Sequence, residues 1–317
     1  MPENDSHPSI AALTLNPSVD VSYTFTSLIA DQKVHALQTR YDPGGNGVNI
    51  ARGLRILGIH SRICLITAGE TGDFLERLLA RHVDDQYAVH VDGGTRINCT
   101  LIQQQPRVQF EVDGIGPHIT MEALEEISEV FLKSSEEGIG VLTGSLPPGV
   151  PVDIYARLVS SLRAQGARAV VDAQSPLLKA ALQENPYLIK PNRYELEMLC
   201  GKKLPGLDDV VDEAKKIQRG GVEHVCVSLG TQGAVLVESD GIYYSEAPQV
   251  PVVSTVGAGD TMVAGLIFGL VRGEDPALVL RLGIACGSST ATKPGTDIFT
   301  KNEMLALLDQ IKVRKLE

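Results

Sequence analysis

Short apolar runs alternate with longer amphipathic segments along nearly the whole chain, and this alternation restricts the fold more than any other feature. Residues 9–15, 61–67, 140–143, 167–172, 188–190 and 223–228 read as buried strands. Between them, residues 47–57, 73–82, 121–134, 153–165, 208–219, 259–271, 276–290 and 302–312 carry apolar side chains at helical spacing. Strands that alternate with helices predict an α/β fold with a mainly parallel sheet covered on both faces. Right-handed crossovers put the loops that follow the strands along one edge, where ligands bind. Two stretches break the rule. Residues 19–26 with 33–41, and 96–103 with 108–112, read as strands with no helix between them. Their polar/apolar alternation predicts a small sheet with one wet face, lying as a flap over the ligand edge. The plainer alternative is an extension of the main sheet.

Composition narrows the function. Lys and Arg number 28 against 39 Asp and Glu, a net charge of −11, so nucleic acid and anionic membrane are poor partners. Aromatic residues are 4% with no Trp, too few for base-stacking platforms. The five cysteines are scattered, with no CxxC or Cys/His cluster, which fits a reducing cytoplasm and no zinc site. Residues 1–9 are polar, unlike a secretory leader. The longest apolar run, residues 261–271, is too short to span a bilayer.

Three motifs carry chemistry. In Ser254-Thr255-Val256-Gly257-Ala258-Gly259-Asp260-Thr261, two glycines precede an apolar helix. The amides of Gly257, Ala258 and Gly259 at a helix N-terminus suit phosphate oxygens or developing negative charge. Asp260 beside them reads either as a general base for an attacking hydroxyl or as a helix cap; the tetrapeptide alone does not decide. No third glycine completes a dinucleotide fingerprint, and no Walker A loop is present. Asp42-Pro43-Gly44-Gly45-Asn46-Gly47-Val48-Asn49 lets a ligand approach the main chain, and Asn49 suits a polyol; a tight connection without a ligand is the alternative. In Lys190-Pro191-Asn192-Arg193-Tyr194-Glu195 a strand ends and a helix begins. Asn192 and Glu195 share one face of its first turn, which suits Mg²⁺ or its waters. On its own, a capping box is the simpler reading. Asp20, Arg96, Gly144-Ser145 and Ser228-Leu229-Gly230-Thr231-Gln232-Gly233 also fall near the ligand edge.

These motifs, in this order, resemble the ribokinase superfamily, in particular its phosphofructokinase-B branch, from Leu13 to about Asp309. The resemblance implies one domain over residues 1–317, a three-layer αβα sandwich, with a β lid from about 18–43 and 95–115 that makes a homodimer contact. It implies transfer of the ATP γ-phosphate to a sugar hydroxyl, with Asp260 as base and the Gly257–Gly259 amides facing the moving group. Asp20, Gly44, Gly45, Asn49, Arg96 and Ser145 match positions that hold the sugar phosphate. Lys190, Asn192, Ser228, Gly230 and Gly233 match positions near the nucleotide. Asn192 and Glu195 match a pair that organises Mg²⁺ through water. Ser254, Val256 and Gly295 match positions where some members bind a monovalent cation such as K⁺.

The substrate is less sharply marked. The Pro43-Gly44-Gly45-x-Gly47 loop and the Gly295-Thr296 turn are similar to minor bacterial 6-phosphofructokinases. Fructose-1-phosphate and tagatose-6-phosphate kinases usually carry Lys where Asn46 stands. Thr95-Arg96-Ile97-Asn98, the stretch around Lys190–Glu197 and Gly201-Lys202-Lys203-Leu204-Pro205 resemble 1-phosphofructokinases instead. His35 stands where the minor 6-phosphofructokinases offer a more basic side chain to the substrate phosphate. The balance favours fructose 6-phosphate. Arg96 and Gly44-Gly45 argue against a sugar without phosphate, and the presence of Asp260 argues against a non-catalytic binding protein.

Overall fold

The computed structural model describes residues 8–316. The reading of residues 1–9 as no leader therefore lies mostly outside the described residues. In chain order the elements are β1 (Ile10–Thr14), β2 (Ser18–Phe25), β3 (Gln38–Gly44), α1 (Asn46–Leu57), β4 (Arg62–Ala68), α2 (Gly69–Leu79), β5 (Asp85–Val91), β6 (Arg96–Gln103), β7 (Val108–Val112), α3 (Met121–Ser134) and β8 (Ile139–Thr143). There follow α4 (Ile154–Ala164), β9 (Arg168–Asp172), α5 (Ser175–Ala181), β10 (Leu188–Ile189), α6 (Arg193–Cys200), α7 (Leu207–Arg219), β11 (His224–Ser228), β12 (Ala234–Glu238), β13 (Gly241–Ser245), α8 (Ala258–Val271), α9 (Pro276–Ala291), α10 (Lys301–Leu308) and β14 (Arg314–Leu316).

Ten strands form one sheet in the order β14-β13-β12-β11-β10-β9-β8-β1-β4-β5. The pairs from β11 to β5 are parallel; β12, β13 and β14 extend the sheet antiparallel. Every residue of β1 is buried, and successive side chains enter opposite cores. Ala11, Leu13 and Leu15 belong to one apolar layer that also holds Ile127, Phe131, Leu158 and Val210 of α3, α4 and α7. Ile10 and Ala12 belong to the opposite apolar layer, with Val48, Leu75, Met262 and Leu280 of α1, α2, α8 and α9. Two apolar faces on one sheet require helices on both sides, so the expected layering is present.

The strands β3, β2, β6 and β7 form a separate four-stranded sheet, so the extension alternative fails. The glycine loop is placed differently from expectation: Asp42-Pro43-Gly44 belongs to β3, and the strand begins at Gln38 rather than near residue 33. The ladder explains the shift, because Gly44 pairs with Ser18 and Asp42 with Asp20. Helix α2 opens directly off β4, four residues before the expected start. No helix among the described residues is long and apolar enough to cross a membrane.

Candidate active site

The chain turns into α8 at Gly257, whose φ of 74° is strained for any residue with a Cβ. No side chain caps this helix, so Asp260 is not its cap. Its carboxylate instead crosses to α1, where Asn46 Nδ2 donates to Oδ1 at 2.8 Å and Asn49 Nδ2 donates to Oδ2 at 2.9 Å. Asp260 is 6% exposed. Burial pushes its pKa up to about 6, helped by the nearby Asp172 charge; the two asparagine bonds and Lys190 pull the other way. A carboxylate so placed is ionised at neutral pH yet basic enough to accept a proton.

The amide donors divide. Ala258 N–H is turned inward, donating to the Thr255 carbonyl at 3.2 Å. The N–H groups of Gly257 and Gly259 donate to no backbone carbonyl among the described residues. Two of the three expected anion donors are therefore available at the positive end of α8.

A cavity of about 460 Å³ runs from this loop toward the antiparallel edge of the large sheet. Lys190, Asn192, Ser228, Gly230 and Gly233, the five residues expected near a nucleotide, all line it together with Gly259. Lys190 Nζ lies 3.3 Å from Asp172 Oδ1, and a Cβ on Gly259 would lie 3.3 Å from the same nitrogen. Burial alone would lower the Lys190 pKa, but Asp172, Glu195 and Asp260 outweigh it and hold it above its ordinary value. Asn192 and Glu195 form a full capping box: Glu195 N–H donates to Asn192 Oδ1 and Asn192 N–H donates to Glu195 Oε2, both at 2.8 Å. Burial raises the Glu195 pKa, with Asp172 adding to the effect.

The expected sugar-side residues gather on the small sheet and the start of α1, apart from Ser145, which follows β8 of the large sheet. Gly44 lies so close to Asp20 that a Cβ there would come within 2.3 Å of its carboxylate oxygen. Ser18 Oγ donates to Asp20 at 2.7 Å and Asn98 Nδ2 at 3.1 Å, and burial still raises the Asp20 pKa. Arg96 Nε donates to the Asn16 carbonyl at 3.0 Å, and Asn16 Nδ2 donates to Ser145 Oγ at 3.1 Å. Arg96 and Ser145 thus meet across Asn16. The cation positions also converge in part, because Ser254 Oγ donates to the Gly295 carbonyl at 3.1 Å and accepts from Val256 N–H at 3.2 Å.

Sequence reasoning missed four contributors: Asn46, Asp172, Asn98 and Asn16. Asp172 ends β9 on the ligand edge, and Asn98 is two residues from Arg96, so their positions were available signals. Asn46 was marked only through the Lys that some similar kinases carry there, and Asn16 gave no signal; their partners lie 214 and 129 residues away.

The chain is similar to known proteins over nearly its whole length. The model of the pfkB family carbohydrate kinases matches residues 12–303. A 1-phosphofructokinase of Bacillus subtilis (strain 168) is 33% identical over 310 residues, covering 97% of this chain and 100% of the relative. The ATP-dependent 6-phosphofructokinase isozyme 2 of Escherichia coli (strain K12) is 32% identical over 296 residues, covering 93% and 96%. The crystal structure of Escherichia coli phosphofructokinase-2 in complex with potassium superposes with a TM-score of 0.91 at 31% identity, covering 96% of this chain and 99% of that one. The family model spans most of the chain, and relatives about a third identical cover nearly all of it: the chain belongs to the pfkB family of carbohydrate kinases.

Proposed function

We propose that the chain is an ATP-dependent phosphofructokinase that phosphorylates fructose 6-phosphate to fructose 1,6-bisphosphate. The observation that carries the reading is Asp260, buried and held by two asparagines of α1, next in sequence to Gly259, which lines the 460 Å³ cleft. The sugar hydroxyl gives its proton to Asp260 as its oxygen bonds the γ-phosphorus. The bond from that phosphorus to the β-phosphate oxygen breaks, and ADP leaves. Gly257 and Gly259 N–H face the charge that gathers on the moving phosphoryl group. Lys190, with Asn192, Ser228, Gly230 and Gly233, holds the nucleotide; Asp20, Gly44, Gly45, Asn49, Arg96 and Ser145 hold the sugar phosphate.

The donor set suits Mg²⁺ bound through its waters. Asn192 Oδ1 and Glu195 Oε2 are already used in capping, which leaves Glu195 Oε1 to orient a coordinated water. There Mg²⁺ would neutralise phosphate charge. Ser254, Val256 and Gly295 form the candidate K⁺ position. The exposed apolar face of the small sheet, with Ile97, Phe110 and Val112, is the homodimer contact. Five free cysteines suit the reducing cytoplasm.

Fructose 1-phosphate as acceptor is the second reading, favoured by the Bacillus subtilis relative. Asn46 favours the first, because it puts a neutral amide beside Asp260 where the 1-phosphate kinases usually have Lys. A coupled kinase assay with fructose 6-phosphate, fructose 1-phosphate and tagatose 6-phosphate at equal concentration decides. A kcat/KM preference for fructose 6-phosphate supports the proposal, a preference for another substrate replaces it, and no turnover of any removes the phosphofructokinase reading.

A further inference from the structure

A second cavity, of about 380 Å³, lies between the C-terminal half of α1, the turn after α2 and the Asp297–Ile298 segment. It shares no lining residue with the cleft. Its wall carries three arginines and a histidine, Arg52, Arg55, Arg81 and His82, against one carboxylate, Asp297. That carboxylate is taken, because Arg40 holds it through Nη1 at 2.6 Å and again through Nη2. Arg55 is also taken, with Asp84 at 3.3 Å and the carbonyls of Arg81 and Val83.

Arg52 is different. It is 6% exposed, and its Nη1 donates to Asn49 Oδ1 and the Thr296 carbonyl, both at 3.2 Å. Its Nε and Nη2 donate to no acceptor among the described residues, and Arg81 makes no ion pair among them. Burial works against the Arg52 charge, with Asp42 and Asp297 in partial opposition. His82 is held below its ordinary pKa by burial and by the Arg52 charge. The walls therefore offer a planar donor pair on a largely buried side chain and a free guanidinium, with their carboxylate engaged elsewhere.

We propose that this cavity binds a small phosphate-bearing anion, gripped by Arg52 Nε and Nη2 and covered by Arg81. A guanidinium presents parallel donors that match two phosphate oxygens, and the volume falls in the range of small-molecule sites. The anion would sit two hydrogen bonds from the catalytic carboxylate, through Arg52 to Asn49 and Asn49 to Asp260.

The test titrates the full chain with inorganic phosphate and with glycerol 3-phosphate by calorimetry, using wild type, Arg81→Glu and Arg81→Gln. Arg81 is exposed, so both variants should keep the wild-type circular dichroism spectrum and thermal midpoint. Phosphate can also enter the cleft, but that component is common to all three proteins. The expected result is a binding component that weakens roughly 10–100-fold in Arg81→Glu, the scale of a lost hydrogen bond to a charged group, and less in Arg81→Gln. If both probes bind, the site reads the phosphate group alone; if only the ester binds, it reads the ester. Identical isotherms in wild type and Arg81→Glu, or no binding of either probe outside the cleft, overturn the proposal.

Discussion

The two sheets of this molecule invert each other's pattern. The large sheet is apolar on both faces and covered on both, as the fully buried β1 shows. The small sheet turns its polar face inward: Asp20, Asp42, Gly44, Arg96 and Asn98 lie on one side by ladder register. Its apolar face carries Tyr41, Ile97, Phe110 and Val112, each about half exposed. The difference shows how the labour is divided. The large sheet supplies rigidity, a cleft and the helix end with its free amides. On the proposed reading, the small sheet supplies sugar recognition and its exposed hydrophobic side meets a partner subunit.

Variants in each sheet's territory should separate the two roles. The largest effect belongs to Asp260→Asn, at the meeting point. Turnover should fall roughly 10²–10⁴-fold with both KM values near wild type and an unchanged spectrum on folding. If both KM values rise in step with the loss, Asp260 binds rather than reacts. Next comes Gly44→Ala, which drives a methyl group into the Asp20 carboxylate. The KM for the sugar phosphate should rise about tenfold or more, the scale of one disturbed charge-assisted contact, while the KM for ATP stays fixed. Equal rises in both would mean that the sheets do not divide the substrates. The smallest effect on chemistry belongs to Phe110→Asp, on the uncovered face. Sedimentation should shift from dimer toward monomer, with kcat changed only a few-fold. A dimer that survives this change does not use this face.

The sequence revealed the large-sheet side more fully than the small-sheet side, for a physical reason. The residues expected near a nucleotide and the Gly257–Asp260 loop sit at strand ends and helix starts, and local spacing marks such places. The side proposed for the sugar is assembled from pairs distant in sequence, such as Asn46 with Asp260 and Asn16 with Ser145, and no local pattern encodes those. The antiparallel edge was missed although Ser239-Asp240-Gly241 between two apolar runs is a hairpin signal. The spacing of Asn192 and Glu195 allowed both a capping box and a Mg²⁺ pair; the capping box was the simpler local reading, and the resemblance added weight to the ion. Arg52 falls in the apolar face of α1, and its unused donors could be recognised only once its neighbours were placed.

The account turns on a carboxylate that burial makes basic and two asparagines keep in place. The most direct measurement is the titration of the Asp260 carboxyl by carbon NMR of aspartate-labelled protein, with the signal assigned by its absence in Asp260→Asn. A pKa raised above the ordinary aspartate value leaves the base protonated, and turnover failing, as pH falls through it. The account predicts a transition near pH 6 that coincides with the acid limb of kcat/KM. A carboxyl that titrates near the ordinary 3.8, with activity unchanged between pH 7 and 5, would contradict it.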